Sequence, residues 1–144
     1  MRRSVARVIE APQIDAYTAV HSYFRLLLPK NLSKNNIDTK KWKIDHDHLL
    51  PGSFYHIAAE TIFYSDGVRL SRDSDAVVLV IGLGGGMING FLHHNFPKMN
   101  ITVVEISVRF ATMASKWFDL KLDRLHSVAL TDGSKFVKIQ AKKG

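Results

Sequence analysis

The chain of 144 residues has room for one domain, and its 46% hydrophobic and 23% charged residues are ordinary for a globular protein. It contains no cysteine, which excludes a disulfide framework and thiolate chemistry. No apolar run approaches the roughly 20 residues of a membrane span, and the N-terminus lacks the apolar core of a secretory signal. We therefore expect a cytoplasmic protein with no membrane partner.

The net charge of +7 is concentrated in residues 1–43 and 138–143. Such basic patches attract acidic partners through electrostatics that do not depend on sequence. No nucleic-acid motif and no aromatic–basic stacking platform accompanies them. A solvated basic face is the favoured interpretation, and nucleic acid is a disfavoured partner.

The N-terminal part, residues 1–74, is predicted to consist of helices and loops. Apolar side chains at spacings of three and four predict an amphipathic helix from Gln13 to Leu28, ended by Pro29. Ser53 is predicted to cap a second helix, from Phe54 to Tyr64. The side chains expected to face the core are Tyr17, Val20, Phe24, Leu27 and Leu28 in the first helix, and Phe54, Ile57, Ala58 and Ile62 in the second.

The run from Asp45 to His48 alternates acidic and imidazole side chains, as a metal cluster would. Adjacent residues of an extended segment point to opposite faces, so these side chains cannot all converge on one ion. We therefore interpret the run as a polar loop and predict no metal site.

Residues 77–86, VVLVIGLGGG, are the most informative part of the chain. The aliphatic run from Val77 to Ile81 is typical of a parallel strand buried on both faces. The glycines after it let the backbone turn sharply and approach a ligand closely, because no Cβ blocks the way. A helix predicted from Met87 directs its free N–H groups towards the same crevice. Together they indicate the entry to a nucleotide-binding α/β sheet.

The spacing of the glycines narrows the choice of ligand. A dinucleotide fingerprint, G-x-G-x-x-G, that starts at Gly82 needs its third glycine at position 87, which is Met87. The chain instead has G-x-G-x-G at Gly82, Gly84 and Gly86. That pattern looks like the first motif of class I S-adenosylmethionine (SAM)-dependent methyltransferases. The loop by itself leaves open a Rossmann-type turn with another ligand or with none.

Two acidic residues follow the next predicted strands in the order that this fold requires. A carboxylate at Glu105, which ends the run ITVVE, can accept hydrogen bonds from both ribose hydroxyls. Asp132 follows a third strand predicted over residues 127–130, where an acid can accept the adenine amino group. Each signal is weak alone, since such acids are also common helix caps and turn residues. The predicted cofactor-binding residues are Gly82, Leu83, Gly84, Gly85, Gly86, Glu105, Ile106, Asp132 and Gly133.

Residues 77–137 resemble the spermidine synthase-like branch of the class I methyltransferase fold. The resemblance is carried by GLGGG, FLHHNFP, ITVVEIS and WFDLKLDRLHSVALTDGSKF. Within that branch, the chain looks most like the methyltransferase-like protein 13 family, which modifies elongation factor 1-alpha. The resemblance implies a transferase that moves a methyl group from SAM to a nucleophile, such as a protein side chain or N-terminus.

Two other functions remain open. Aminopropyltransferases of the branch usually carry an Asp in the glycine loop, as in GGGDGG, whereas this chain has Gly84-Gly85-Gly86-Met87, which favours methyl transfer. A catalytically inactive cofactor-binding or interaction module is the second alternative, because we expect the chain to be truncated after the third βα unit. Catalytic residues stay unassigned, since the sequence that would carry them has no counterpart here.

The predicted fold is α/β, the N-terminal half of a Rossmann-like class I methyltransferase sheet with strand order 3-2-1, preceded by a helical segment. Residues 1–74 form the N-terminal segment and residues 75–144 the partial SAM-binding domain, together as one folding unit. The first strand would then lie at an open, apolar edge. The chain is then a fragment of a longer product, a homodimer across that edge, or a chain whose N-terminal segment covers the edge.

Overall fold

The computed structural model describes residues 6–10, 20–33 and 37–143. Its elements, in chain order, are β1 Ala6–Glu10, β2 Val20–Arg25, a 3-10 helix Thr39–Lys41, α1 Phe54–Tyr64, β3 Val77–Ile81, α2 Met87–Asn95, β4 Asn100–Glu105, α3 Val108–Trp117, β5 His126–Leu130 and α4 Gly133–Ala141. Within these residues, no helix is both long and apolar enough to cross a membrane.

The strands form two separate sheets. β1 and β2 pair with each other in an antiparallel manner, and β3, β4 and β5 form a parallel sheet in that order. Val77 of β3 lies opposite Asn100 of β4, and Ile101 of β4 lies opposite His126 of β5. The predicted strand order 3-2-1, with helices alternating between the strands, is therefore confirmed.

The parallel sheet is anchored by a core around its central strand. β4 is buried along most of its length, and Ile101 and Val103 on one face are both completely buried. They pack with side chains from α2 and α3, of which Leu92 and Ala114 are also completely buried. Burial of this kind stabilises a fold by about 1.5–3 kcal/mol per large aliphatic side chain. The strand ends that carry the predicted site are thus held in place by a buried apolar core.

A second core cluster joins the N-terminal part of the chain to the sheet domain. It includes residues of β2 and of the loop that follows it, together with one residue from α2 and one from the end of α3. Its members are Phe24, Leu26, Trp42, Ile44, Leu49, Ala59, Met87 and Phe118. Side chains from before and after residue 75 therefore share one apolar interior.

The predicted N-terminal helix is wrong where the structure can test it. Residues 11–19 lie outside the described residues, but Val20–Arg25 forms a strand. Ser22, Phe24 and Leu26 are buried and the residues between them are only half-buried, which is the period-two pattern of a strand. The apolar spacing also fits a helix, and pairing with β1 decides between the two. The N-terminal segment therefore contains a strand pair as well as a helix.

The helix α1 has the predicted bounds, and Ile62 packs against the core as expected, but part of the predicted face is exposed. The Ser53 side chain accepts a hydrogen bond from the backbone N–H of His56 at 3.3 Å, which makes Ser53 the N-cap. Phe54 and Ile57, expected to face the core, are 76% and 55% exposed, while Ala59 is buried. Apolar residues lie on more than one face of this helix, so the sequence of the helix alone does not determine which face is buried.

The first strand of the parallel sheet, β3, has a free edge in the described part of the chain. It pairs with β4 alone, and the β1–β2 pair belongs to the other sheet. Val77, Leu79 and Ile81 are 81%, 45% and 63% exposed. The described part of the N-terminal segment therefore does not cover this edge.

Candidate functional site

The predicted site residues lie together at the carboxyl edge of the parallel sheet. The glycine loop, residues 82–86, follows β3, Glu105 ends β4, and Asp132 begins the turn after β5. Hydrogen bonds connect neighbouring strand ends: the Gly82 N–H donates to the carbonyl of Val104 at 2.8 Å, and the Thr131 N–H donates to that of Glu105 at 3.0 Å. In open α/β sheets this edge is where ligands bind.

The glycine loop has a backbone that only glycine adopts readily. Gly82, Gly84 and Gly86 have φ angles of +93°, +54° and +83°. A Cβ on Gly82 would meet no atom within 4 Å, so open space lies beside the loop there. The Leu83 side chain is buried in the core, which leaves its backbone alone to contact a ligand.

The start of α2 offers an anion site next to this loop. Gly86 is the N-cap residue, and it provides no side-chain acceptor for the first turn of the helix. Free N–H groups and the positive end of the helix dipole favour a negatively charged ligand group. Together with the open space at Gly82, these features fit a nucleotide-like ligand that approaches the backbone and carries a carboxylate.

Glu105 ties the glycine loop to the start of α3. Its side chain is buried, and its two oxygens accept hydrogen bonds from the backbone N–H groups of Leu83 at 2.8 Å and of Ser107 at 2.7 Å. An ionised carboxylate has about four acceptor positions, so capacity for ligand hydroxyls remains. The next residue, Ile106, is 73% exposed at the same edge.

Asp132 and Gly133 both have structural roles at the start of α4. The Asp132 Oδ1 accepts a hydrogen bond from the backbone N–H of Lys135 at 2.9 Å and caps the helix. A Cβ on Gly133 would lie 2.8 Å from Cγ2 of Ile81, so packing against β3 requires glycine at this position. A contact between either residue and a cofactor stays a prediction.

A histidine-lined cavity of about 210 Å³ lies along the face of α2 that carries Gly86 and Gly90. Sequence reasoning missed this cavity, because its lining comes from distant segments that share no local motif. The histidines and charged residues that line it are His46, His93, His94, His126, Asp119 and Lys121.

Three of the four histidines that line the cavity lie within hydrogen-bond distance of an aspartate carboxylate. The pairs are His46 with Asp119 at 3.3 Å, His93 with Asp123 at 3.2 Å, and His94 with Asp47 at 3.3 Å. Burial raises the pKa of Asp119, but hydrogen bonds from Lys121 and His46 outweigh it and hold that pKa below its usual value. Three aspartates, Asp47, Asp119 and Asp123, thus lie against the imidazoles of the cavity.

His126 behaves differently from the other histidines of the cavity. It is 1% exposed, its Nε2 lies 3.0 Å from the amide nitrogen of Asn89, and its Nδ1 has no hydrogen-bond partner among the residues that the structure describes. Burial lowers the pKa of His126, and the charge of His93 lowers it further by a smaller amount. Its ring centroid lies 4.8 Å from that of His93. The neutral form is therefore the one that this environment favours.

His46 and Asp47 lie in a turn rather than in an extended segment, and the side chains from Asp45 to Asp47 form separate ion pairs. Asp45 pairs with Arg25 at 2.6 Å, His46 pairs with Asp119 in the loop after α3, and Asp47 pairs with His94 of α2. Across residues 6–10, 20–33 and 37–143, no group of three or more His, Asp or Glu side chains is arranged to hold a metal ion.

About half of this chain is similar in sequence to proteins of known function. The eEF1A lysine and N-terminal methyltransferase homolog of Drosophila melanogaster is 39% identical over 84 residues, which cover 54% of this chain and 12% of that protein. The eEF1A lysine and N-terminal methyltransferases of Xenopus laevis and Homo sapiens are 40% and 36% identical and cover 52% and 49% of this chain. The chain thus spans about one tenth of the length of these relatives. No family model matches the chain.

Two solved structures resemble the chain. Human methyltransferase-like protein 13 in complex with SAH has a TM-score of 0.47 and 35% identity, over 48% of this chain and 31% of that one. A probable spermidine synthase from Corynebacterium glutamicum has a TM-score of 0.47 and 16% identity, over 88% of this chain and 47% of that one. Over about half of its length, the chain is therefore similar in sequence to the eEF1A lysine and N-terminal methyltransferases, which supports the predicted resemblance to SAM-dependent methyltransferases.

Proposed function

We propose that this chain binds SAM at the carboxyl edge of its parallel sheet, as part of a methyltransferase that acts on protein. The observation that carries the proposal is the convergence of the glycine loop, Glu105 and Asp132 at three adjacent strand ends. The names of its relatives, all of them methyltransferases, support the same reaction. When bound, SAM supplies an electrophilic methyl group on its sulfonium.

Each part of the edge suits a different part of that cofactor. The first turn of α2 attracts the carboxylate of the amino-acid portion, and the open space at Gly82 admits it close to the backbone. Glu105 accepts hydrogen bonds from the ribose hydroxyls, and Asp132 accepts one from the adenine amino group. These residues bind and orient, and such positioning supplies much of the rate of a bimolecular transfer.

Calorimetric titration with SAM, SAH, decarboxylated SAM and NAD tests the cofactor assignment. We expect micromolar binding of SAM and SAH, and binding about tenfold weaker in Glu105→Gln, which loses a charged acceptor. Glu60→Gln is the matched control, because Glu60 is 46% exposed on α1. A preference for decarboxylated SAM would indicate an aminopropyltransferase, and a folded chain that binds none of the four would overturn the proposal.

The acceptor that we propose is a lysine or the N-terminus of eEF1A, as the names of the relatives state for those proteins. Purified eEF1A incubated with the chain and tritiated-methyl SAM should become labelled. A chain that binds SAH without labelling eEF1A would be a cofactor-binding module. Cytoplasmic localisation, which this acceptor favours, is part of the same proposal.

We further propose that residues 1–74 and 75–144 form one folding unit. The core cluster that contains Phe24, Trp42, Met87 and Phe118 supports this, since it draws side chains from both parts. Residues 75–144 expressed alone should then lack a cooperative unfolding transition. A cooperative transition as steep as that of the whole chain would contradict the proposal.

The free edge of β3 supports one partner proposal, a homodimer in which two copies meet at this edge. Exposed apolar strands pair readily with other strands, and Val77, Leu79 and Ile81 are all exposed. Leu79→Lys should shift the chain to monomer in sedimentation analysis. Leu70→Lys is the control, because Leu70 is 72% exposed and lies outside the sheet. A monomeric wild-type chain at high micromolar concentration would refute the dimer.

A further inference from the structure

The strand β2 lies against the glycine loop, although 57 or more residues of sequence separate them. Ser22 is 1% exposed, and its Oγ accepts a hydrogen bond from the backbone N–H of Gly85 at 2.9 Å. The backbone N–H of Tyr23 lies 3.2 Å from the sulfur of Met87, the first residue of α2. The strand thus contacts both the loop and the helix that starts from it.

The conformation of the glycine loop is held by acceptors on two sides. On the side of the sheet, the carbonyl of Val104 accepts a hydrogen bond from the N–H of Gly82 at 2.8 Å. The carboxylate of Glu105 accepts one from the N–H of Leu83, also at 2.8 Å. On the side of β2, the Oγ of Ser22 accepts a hydrogen bond from the N–H of Gly85 at 2.9 Å. Glycine residues at positive φ gain no rigidity from side-chain sterics, so these acceptors are what restrict the loop.

Steric contact at Gly85 supports the same role for β2. A Cβ built on Gly85 would lie 2.9 Å from side-chain atoms of both Ser22 and Phe24, whereas one on Gly82 would meet nothing within 4 Å. The absence of a side chain at Gly85 therefore serves the contact with β2, while the open space for a ligand lies at Gly82. Glycine at position 85 thus permits packing against β2, and glycine at position 82 leaves open space beside the loop.

We propose that Ser22 is a positioning residue for the cofactor site, which acts by holding the Gly85 amide and with it the loop. The inference rests on the proposed binding of SAM at this loop. Loss of the Ser22 hydroxyl leaves a buried N–H without an acceptor, so the loop samples other conformations and binds the cofactor more weakly. In this role Ser22 acts only through the Gly85 amide.

The test compares Ser22→Ala with Ser22→Thr, which keeps a hydroxyl, and with Ser74→Ala, which removes a buried serine elsewhere in the chain. Ser74 is 5% exposed and precedes β3. Two properties are measured for each variant: the hydrogen-exchange rate of the Gly85 amide by NMR, and the dissociation constant for SAH by calorimetry.

We expect Ser22→Ala to accelerate exchange at Gly85 at least tenfold and to weaken SAH binding about tenfold. Ser22→Thr should restore most of the affinity, and Ser74→Ala should leave both properties unchanged even if it lowers the melting temperature. Faster exchange with unchanged SAH affinity in Ser22→Ala would overturn the positioning role. Tighter SAH binding would also overturn it, since the hydroxyl would then compete with the ligand for the amide.

The failure of this inference is distinguishable from the failure of the proposed function. If the wild-type chain does not bind SAH, the SAM assignment is wrong. Exchange at Gly85 still decides whether Ser22 holds the loop, because that measurement needs no ligand. Unchanged exchange in Ser22→Ala would overturn the contact itself, whatever the chain binds.

Discussion

Replacement of Glu105 by Gln should lower the stability of the fold as well as the affinity of the site. In the structure, Oε1 and Oε2 of Glu105 accept from the backbone N–H groups of Ser107 and Leu83 at 2.7 and 2.8 Å. Glutamine has nearly the same shape but carries one acceptor oxygen, and its amide nitrogen would face the other backbone donor. One of these two N–H groups therefore loses its partner.

The expected size of the effect follows from burial. Glu105 is 6% exposed, so water cannot readily replace the lost acceptor. A hydrogen bond to a charged group contributes about 1.5–3 kcal/mol, and we expect the free energy of unfolding to fall by about that amount in Glu105→Gln. Glu105→Ala removes both acceptors and should cost about twice as much. That loss is a large part of the 5–15 kcal/mol typical of a domain.

Urea denaturation followed by tryptophan fluorescence measures this loss, since Trp42 is buried in the second core cluster. Glu60→Gln, on the exposed face of α1, is the control and should stay within about 0.5 kcal/mol of the wild type. A Glu105→Gln chain as stable as the wild type would refute the reasoning, because the two backbone donors would then have found other acceptors.

Three further perturbations test the packing and the cavity. Gly85→Ala places a Cβ 2.9 Å from side chains of β2 and should lower the free energy of unfolding, measured by urea denaturation, by about 1–3 kcal/mol. Gly67→Ala is the control and should not destabilise the fold, because the atom nearest to its Cβ would be 3.4 Å away. Burial and a neighbouring imidazole lower the pKa of His126 below the 6.5 of an unfolded chain, so the unfolded state takes up the proton first and stability falls as the pH falls below about 6.5. His126→Gln should therefore lose less stability than the wild type between about pH 7.5 and 5.5, and an equal loss would contradict the shift. Leu92→Ala, at a fully buried position, should cost about 2–5 kcal/mol, while Leu70→Ala at 72% exposure should melt within a degree or two of the wild type.

Local signals in the sequence were sufficient for the strands of the parallel sheet and for α1. The aliphatic run before Gly82 predicts β3 with its observed bounds, and Ser53 predicts the start of α1. Both signals act within a few residues, because a strand followed by glycines and a hydroxyl at an N-cap depend on neighbours in the chain. The carboxyl-edge position of Glu105 and Asp132 follows from the same pattern, since parallel strands end at one side.

Features that depend on distant parts of the chain escaped prediction. The residues of β2 fit a helix equally well by spacing, and pairing with β1 determines the strand. The hydrogen bond from Gly85 to Ser22 spans 63 residues, and the histidine cavity brings together His46 and His126, which are far apart in the sequence. No short motif marks such contacts, because each forms only after the surrounding core has packed.

The way in which the glycine loop is held has a consequence for the thermodynamics of ligand binding. A loop that is disordered in the free protein must lose conformational entropy when a ligand orders it, at a cost of about 1–2 kcal/mol for each residue. Here Gly82, Leu83, Gly85 and Gly86 already donate their N–H groups to acceptors within the protein. Most of that ordering is complete before any ligand arrives. Association at this edge should therefore have a small entropic penalty and should not be slowed by rearrangement of the loop.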